Sequence, residues 1–133
     1  RPPAGRSFVV VVVEEPAHRA LVEERFSMAG FLVTTAADAA ECVIQARAVK
    51  LSMIISDFNM PGFGTGADAL KRIRADHSMP KNLPVVFVTG SPLPTARAVI
   101  GLGDPYVRVM SKPVDWKLLR RYVFDLIGED KPL

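Results

Sequence analysis

The chain has 133 residues, enough for one compact domain that buries a core without disulfides or metals. Apolar residues make up 49% and charged residues 23%, the balance of an ordinary globular protein, and a net charge of +3 is too mild to mark a nucleic-acid binder. The single cysteine, Cys42, excludes an internal disulfide and points to a reduced, cytosolic setting; no apolar run approaches the about 20 residues of a membrane span.

Beginning at Arg1 rather than at a methionine, the chain reads as a piece of a longer protein or a processed form. The first element is Phe8–Val13, a continuous β-branched run expected of a strand buried on both faces. No small-residue cleavage site follows it, which argues against a signal peptide. Pro16 opens a helical stretch with Ala17, Leu21, Phe26 and Ala29 along one side and Gly30 as its stop. Phe31–Thr35 reads as a second strand. Asp38, with Glu41 three residues on, predicts a capping box for a helix reaching about Val49.

Leu51–Ser56 reads as a third strand that ends at Asp57, and a proline- and glycine-rich loop, Met60–Gly66, leads to a helix carrying Ala69, Leu70 and Ile73. Leu83–Val88 is a fourth apolar strand. Pro92 and Pro94 restrict the start of the next segment, so Pro92–Leu102 is expected to be helical only in part. Tyr106–Met110 is the fifth strand. Asp115 caps a last helix whose buried stripe is Trp116, Leu119, Val123 and Ile127. The basic clusters Lys71–Arg72–Arg74 and Lys117–Arg120–Arg121 have no aromatic residues interleaved and read as solvated helix faces, so nucleic acid is not an expected partner.

Five alternating strand–helix units predict an α/β fold: a doubly wound, flavodoxin-like (βα)5 sandwich with a parallel sheet in order 2-1-3-4-5. Ligands of such sheets bind beyond the carboxyl ends of the strands where the order reverses, here strands 1 and 3. Four polar groups of complementary chemistry fall at strand ends: Glu14–Glu15, Asp57, Thr89 and Lys112. A carboxylate can attack phosphorus to form an acyl phosphate, provided a hard cation and a fixed ammonium neutralise the transferring oxygens. Glu14 and Asp57 can supply oxygen ligands to magnesium, Lys112 a point charge, and the Thr89 hydroxyl and Gly90 amide hydrogen bonds to a third oxygen.

The segments VVVEEP (11–16), SDFNMPG (56–62), VTG (88–90) and SKP (111–113) resemble the receiver domain of bacterial response regulators in order, spacing and context. The resemblance covers residues 7–128, leaving 1–6 as an expected disordered segment and 129–133 as a tail. It implies a phosphoacceptor signalling domain rather than a turnover enzyme, with at most weak autophosphatase activity, in the cytoplasm. By the same resemblance Asp57 is phosphorylated, Thr89 and Lys112 assist, and Mg²⁺ is held by Glu14, Asp57 and the Asn59 carbonyl. Asn59 and Ser91 tune dephosphorylation, and the Lys112–Pro113 bond is a cis candidate. A histidine kinase or histidine phosphotransfer protein is the implied donor, with an output domain or a homodimer as the further partners such domains use.

Three features depart from the pattern. Val13 stands where the family places the outer of two acids, so magnesium affinity is expected to fall. The loop after Asp57 is one residue longer. Val109 occupies the position of the family's switch aromatic, and Tyr106 lies three residues too early. Val13 and Val109 favour a rival reading, a degenerate receiver that binds proteins without phosphorylation. An aspartate-nucleophile phosphohydrolase is a further rival, but such enzymes place a D-x-D pair after the first strand and none is present. Gly62, Gly64 and Ala67 match a dinucleotide fingerprint, yet Pro61 interrupts the turn and no acid lies about 20 residues beyond. His18 and His77 lack partners at ligand spacing and read as surface residues.

Overall fold

The computed structural model describes residues 7–59, 65–100 and 103–133. The N-terminal segment 1–6, the loop glycines Gly62 and Gly64, and the end of the fourth helical stretch therefore lie outside the described residues. Ten elements alternate: β1 (Phe8–Val12), α1 (Pro16–Met28), β2 (Leu32–Ala36), α2 (Ala39–Ala48), β3 (Met53–Asp57), α3 (Gly66–Ala75), β4 (Val85–Thr89), α4 (Leu93–Ile100), β5 (Val107–Ser111) and α5 (Trp116–Ile127). All strand pairs are parallel and the order is β2-β1-β3-β4-β5, as the sequence predicts.

Alternation along each strand sends successive side chains to opposite faces and builds two cores. Val10, Val12, Ile54, Val85, Phe87 and Val109 face α2, α3 and α4, where Ala46, Leu70, Ile73 and Ala96 cover them. Val9, Val11, Met53, Ile55, Val86 and Met110 face α1 and α5, where Val22, Phe26, Leu119 and Val123 cover them. Both faces of the sheet are thus apolar, which explains the unbroken valine runs. Cys42 belongs to the first core, and burial pushes its thiol up to about 12, the behaviour of a packing residue.

The last four runs overshoot their strands at the amino ends, whereas the first runs one residue past the carboxyl end of β1, to buried Val13. Phe31 and Leu83 are buried but precede β2 and β4, because hydrophobicity marks burial rather than ladder pairing. Asp57 and Thr89 consequently sit inside the last position of β3 and β4. In α1, Ala17 and Leu21 are exposed, contrary to the sequence reading. The buried stripe is Val22, Phe26 and Ala29, one residue's rotation away from Leu21.

Helix starts follow their caps. The Asp38 carboxylate accepts from the Glu41 amide at 2.9 Å, while the Glu41 carboxylate lies 3.4 Å from the Ala37 amide, so the box predicted there is not the reciprocal one. Asp115 accepts from the Lys117 and Leu118 amides, and Gly128, at φ 72°, ends α5 in the left-handed region. Pro94 falls in the first turn of α4, where its missing N–H costs nothing. The terminal residues fold back: Glu129 accepts from Ser7, Asp130 pairs with Arg120 at 2.6 Å, and Leu133 packs on the α1/α5 core.

Gly66 opens α3 against the aromatic pair behind the strand ends. Phe58 and Phe87 meet edge to face at 6.2 Å, and a Cβ on Gly66 would stand 2.7 Å from a Phe58 ring carbon. Gly66→Ala is therefore expected to lower stability by about 1–3 kcal/mol in urea unfolding, as overpacking does. A variant as stable as wild type would show that Phe58 moves aside freely.

Candidate functional site

Parallel pairing brings the carboxyl ends of β1, β3, β4 and β5 to one edge of the sheet. Val12 pairs with Ser56, Asp57 with Val88, and Thr89 with Ser111, so the four strand ends lie close to level. The acceptor candidate Asp57 is only 6% exposed. A buried carboxylate is costly unless compensated, and both oxygens have company. The Glu14 amide donates to Oδ2 at 3.0 Å, and the Lys112 ammonium lies 3.0 Å from Oδ1. Oδ1 accepts no aligned hydrogen bond among the described residues, so Lys112 acts there as a point charge and leaves lone-pair room.

Lys112 is held to β4 by its own amide, which donates to the Thr89 carbonyl at 2.7 Å. The Lys112–Pro113 bond is cis, as the sequence resemblance implies. Thr89 is 1% exposed, and its hydroxyl oxygen accepts from the Ser91 amide at 2.9 Å. That bond uses a lone pair and leaves the hydroxyl hydrogen free to donate. Gly90 and Asn59 are exposed beside these residues, and a Cβ on Gly90 would meet nothing within 4 Å.

Val13 is 2% exposed and belongs to the α1/α5 core, so the place of an outer acid is filled by packed hydrocarbon. Glu14 is exposed, and among the described residues no three His, Cys, Asp or Glu side chains cluster as metal ligands. Glu15 turns away from the site. Its carboxylate caps α1, accepting from the His18 amide at 2.6 Å and the Ala17 amide at 3.1 Å. Those two amides hold the carboxyl below the usual glutamate value. Val109 packs 8% exposed in the core opposite Phe87, whereas Tyr106 lies outside β5 and half-exposed.

Arg19 is a site residue that the sequence does not advertise. Its guanidinium donates to the Val13 carbonyl at 2.8 Å and to the Glu14 carbonyl at 3.3 Å, clipping the loop that carries the Glu14 amide. No motif marks it; the only signal is an arginine in the first turn of the helix that follows the acids.

Because Glu15 is held below its ordinary value, its contribution to α1 is fully present at neutral pH and lost as pH falls through the lowered value. The His18 amide resonance should titrate with a midpoint below that of an ordinary glutamate, and Glu15→Gln should abolish the transition. A midpoint at the ordinary value would exclude the carboxylate cap.

The family described as "Response regulator receiver domain" matches residues 9–124. Among solved structures, the receiver domain of a sensor histidine kinase from Pseudomonas aeruginosa, described with a magnesium ion coordinated in its active-site cleft, is 23% identical. It superposes with a TM-score of 0.78 over 94% of this chain and 100% of that one. A chemotaxis response regulator of Vibrio cholerae is 27% identical, with a TM-score of 0.73 over 89% of this chain and 99% of that one. A sensor protein from Polaromonas reaches 0.81 at 19% identity, over 93% of this chain and 98% of that one. No curated protein matches the chain in sequence. No helix among the described residues is long and apolar enough to cross a membrane. With the family match running from β1 into α5 and the strand-end residues gathered on one edge, the chain belongs to the response regulator receiver domains of two-component signalling.

Proposed function

We propose that this domain accepts a phosphoryl group on Asp57 from a histidine kinase or histidine phosphotransfer protein in the cytoplasm, and that residues 7–128 form the responsible unit. One observation carries the reading. A carboxylate 6% exposed is held by an amide on one oxygen and a lysine on the other, at the carboxyl edge of a parallel sheet. An ordinary capping aspartate at a strand end is solvated and serves a following turn; this one is buried and paired with residues from two other strand ends.

The chemistry follows from these groups. Asp57 Oδ attacks the phosphorus of the donor; the new O–P bond forms as the bond to the leaving imidazole nitrogen breaks, and the imidazole takes a proton from water. Lys112 is near enough to shift from the carboxylate to a phosphoryl oxygen, and the free Thr89 hydroxyl hydrogen and Gly90 amide are donors for another. Asn59 and Ser91 flank this position and are the candidates for setting how readily water removes the phosphoryl group.

Magnesium suits the donor set: carboxylates of Glu14 and Asp57 and the Asn59 carbonyl are hard oxygens, and Asp57 Oδ1 is buried without an aligned hydrogen bond. When bound, the ion neutralises charge developing on the transferred group. Val13 gives the alternative reading, a receiver that binds partners without phosphorylation, its specific support, because no second acid reinforces the ion.

Acetyl phosphate with Mg²⁺ should add the mass of one phosphoryl group to wild type and none to Asp57→Ala. Beryllofluoride should change the fluorescence of Trp116, which lies four residues past Lys112 with the Arg25 guanidinium 4.4 Å over its ring. Identical behaviour of the two proteins would favour the phosphorylation-independent reading. Val13→Asp should tighten Mg²⁺ about tenfold in the same fluorescence titration, the usual scale for a group that supports metal ligands. Unchanged affinity would show that Val13 is not what limits the ion.

A further inference from the structure

We infer that Arg19 is a positioning residue for the Asp57 carboxylate, acting through the single peptide group between Val13 and Glu14. The inference deepens the phosphoacceptor reading and rests on it for its functional consequence. Two hydrogen bonds joined by one peptide form a chain: the Arg19 guanidinium donates to the Val13 carbonyl at 2.8 Å, that carbonyl shares a peptide with the Glu14 amide, and the Glu14 amide donates to Asp57 Oδ2 at 3.0 Å. Because a peptide is planar and trans, a bond that fixes its oxygen also aims its N–H in the opposite direction.

The clip does two things. It prevents the Val13–Glu14 peptide from turning over, which would face a carbonyl oxygen toward the carboxylate and replace an attraction with a repulsion. It also places a permanent positive charge on the far end of the peptide, and hydrogen bonds in series polarise one another, so the amide becomes a stronger donor to Asp57. The second bond, to the Glu14 carbonyl at 3.3 Å, extends the hold to the next peptide.

Arg19 itself is well anchored. Pro16 starts α1, the Glu15 carboxylate caps it, and the Arg19 amide closes the first turn on the Glu15 carbonyl at 2.9 Å. Side chains on a helix lean toward its amino end, which carries the guanidinium back over the loop. With buried valine at position 13, that strand end offers the guanidinium a carbonyl rather than a carboxylate. The arginine thus serves the backbone that serves the acceptor.

The test is the Glu14 amide resonance of the ¹⁵N-labelled chain without any phosphoryl donor, together with the affinity for beryllofluoride and Mg²⁺. Arg19→Met keeps the stem and removes the donor; it should move the Glu14 amide proton upfield, as Asp57→Ala does, and weaken beryllofluoride about tenfold, the scale of one charge-assisted hydrogen bond. Arg19→Lys should restore part of both, which a merely structural role would not. Arg19→Gln serves if the methionine variant does not fold. An unmoved Glu14 resonance in a folded variant would overturn the positioning role. If wild type fails to bind beryllofluoride while the resonance moves as expected, the positioning stands and the phosphoacceptor reading fails.

Discussion

The constraint on which this molecule turns is the burial of one carboxylate at the end of a strand that has no exposed face. Asp57 lies 6% exposed between β1 and β4, where water cannot solvate both of its oxygens. A charge in that position persists only if the surrounding chain supplies compensating donors. Lys112 and the Glu14 amide do so from opposite sides. Neither is local to Asp57 in sequence; each arrives because a parallel ladder delivers strand ends to one edge. The fold and the site are in this sense one problem, since the pairings that bury the valines also assemble the cage.

Compensation at the site is electrostatic and partly open to solvent. The Lys112 side chain is 39% exposed, so its pairing is screened and worth less than a fully buried ion pair. That openness leaves the ammonium room to exchange one anionic partner for another, as the proposed phosphoacceptor role requires. The tighter elements lie behind it: the Phe58–Phe87 contact, Gly66 at the foot of α3, and the Thr89 hydroxyl locked to the Ser91 amide. A close-packed wall behind a partly exposed cation is the arrangement the proposed phosphoryl transfer calls for.

The departures from the family pattern have physical consequences of different kinds. Val13 is not an acid pointing elsewhere; it is an integrated member of the α1/α5 core. Val109 likewise fills core volume opposite Phe87, and half-exposed Tyr106 stands outside β5 rather than on the sheet face. Each exchanges a polar or mobile group for packing. Beyond the β4–β5 ladder, the 2.7 Å bond from the Lys112 amide to the Thr89 carbonyl joins two of the strand-end residues directly.

The amino-acid sequence by itself determined the alternation of strands and helices, the parallel order and the identities of Asp57, Thr89 and Lys112. Those follow from local signals: β-branched runs, prolines and caps at helix starts, and polar residues where apolar runs stop. It misjudged what depends on rotation or on distant neighbours. Leu21 is apolar yet faces solvent, because the phase of α1 is set by Val22 and Phe26 against the sheet. Which way Glu15 turns was not legible, and it caps α1; Arg19 clips a loop that no motif connects to it. Only the tertiary structure decided these, because a side chain's partner is chosen by where the backbone around it has been carried, and that is settled by packing of the whole sheet.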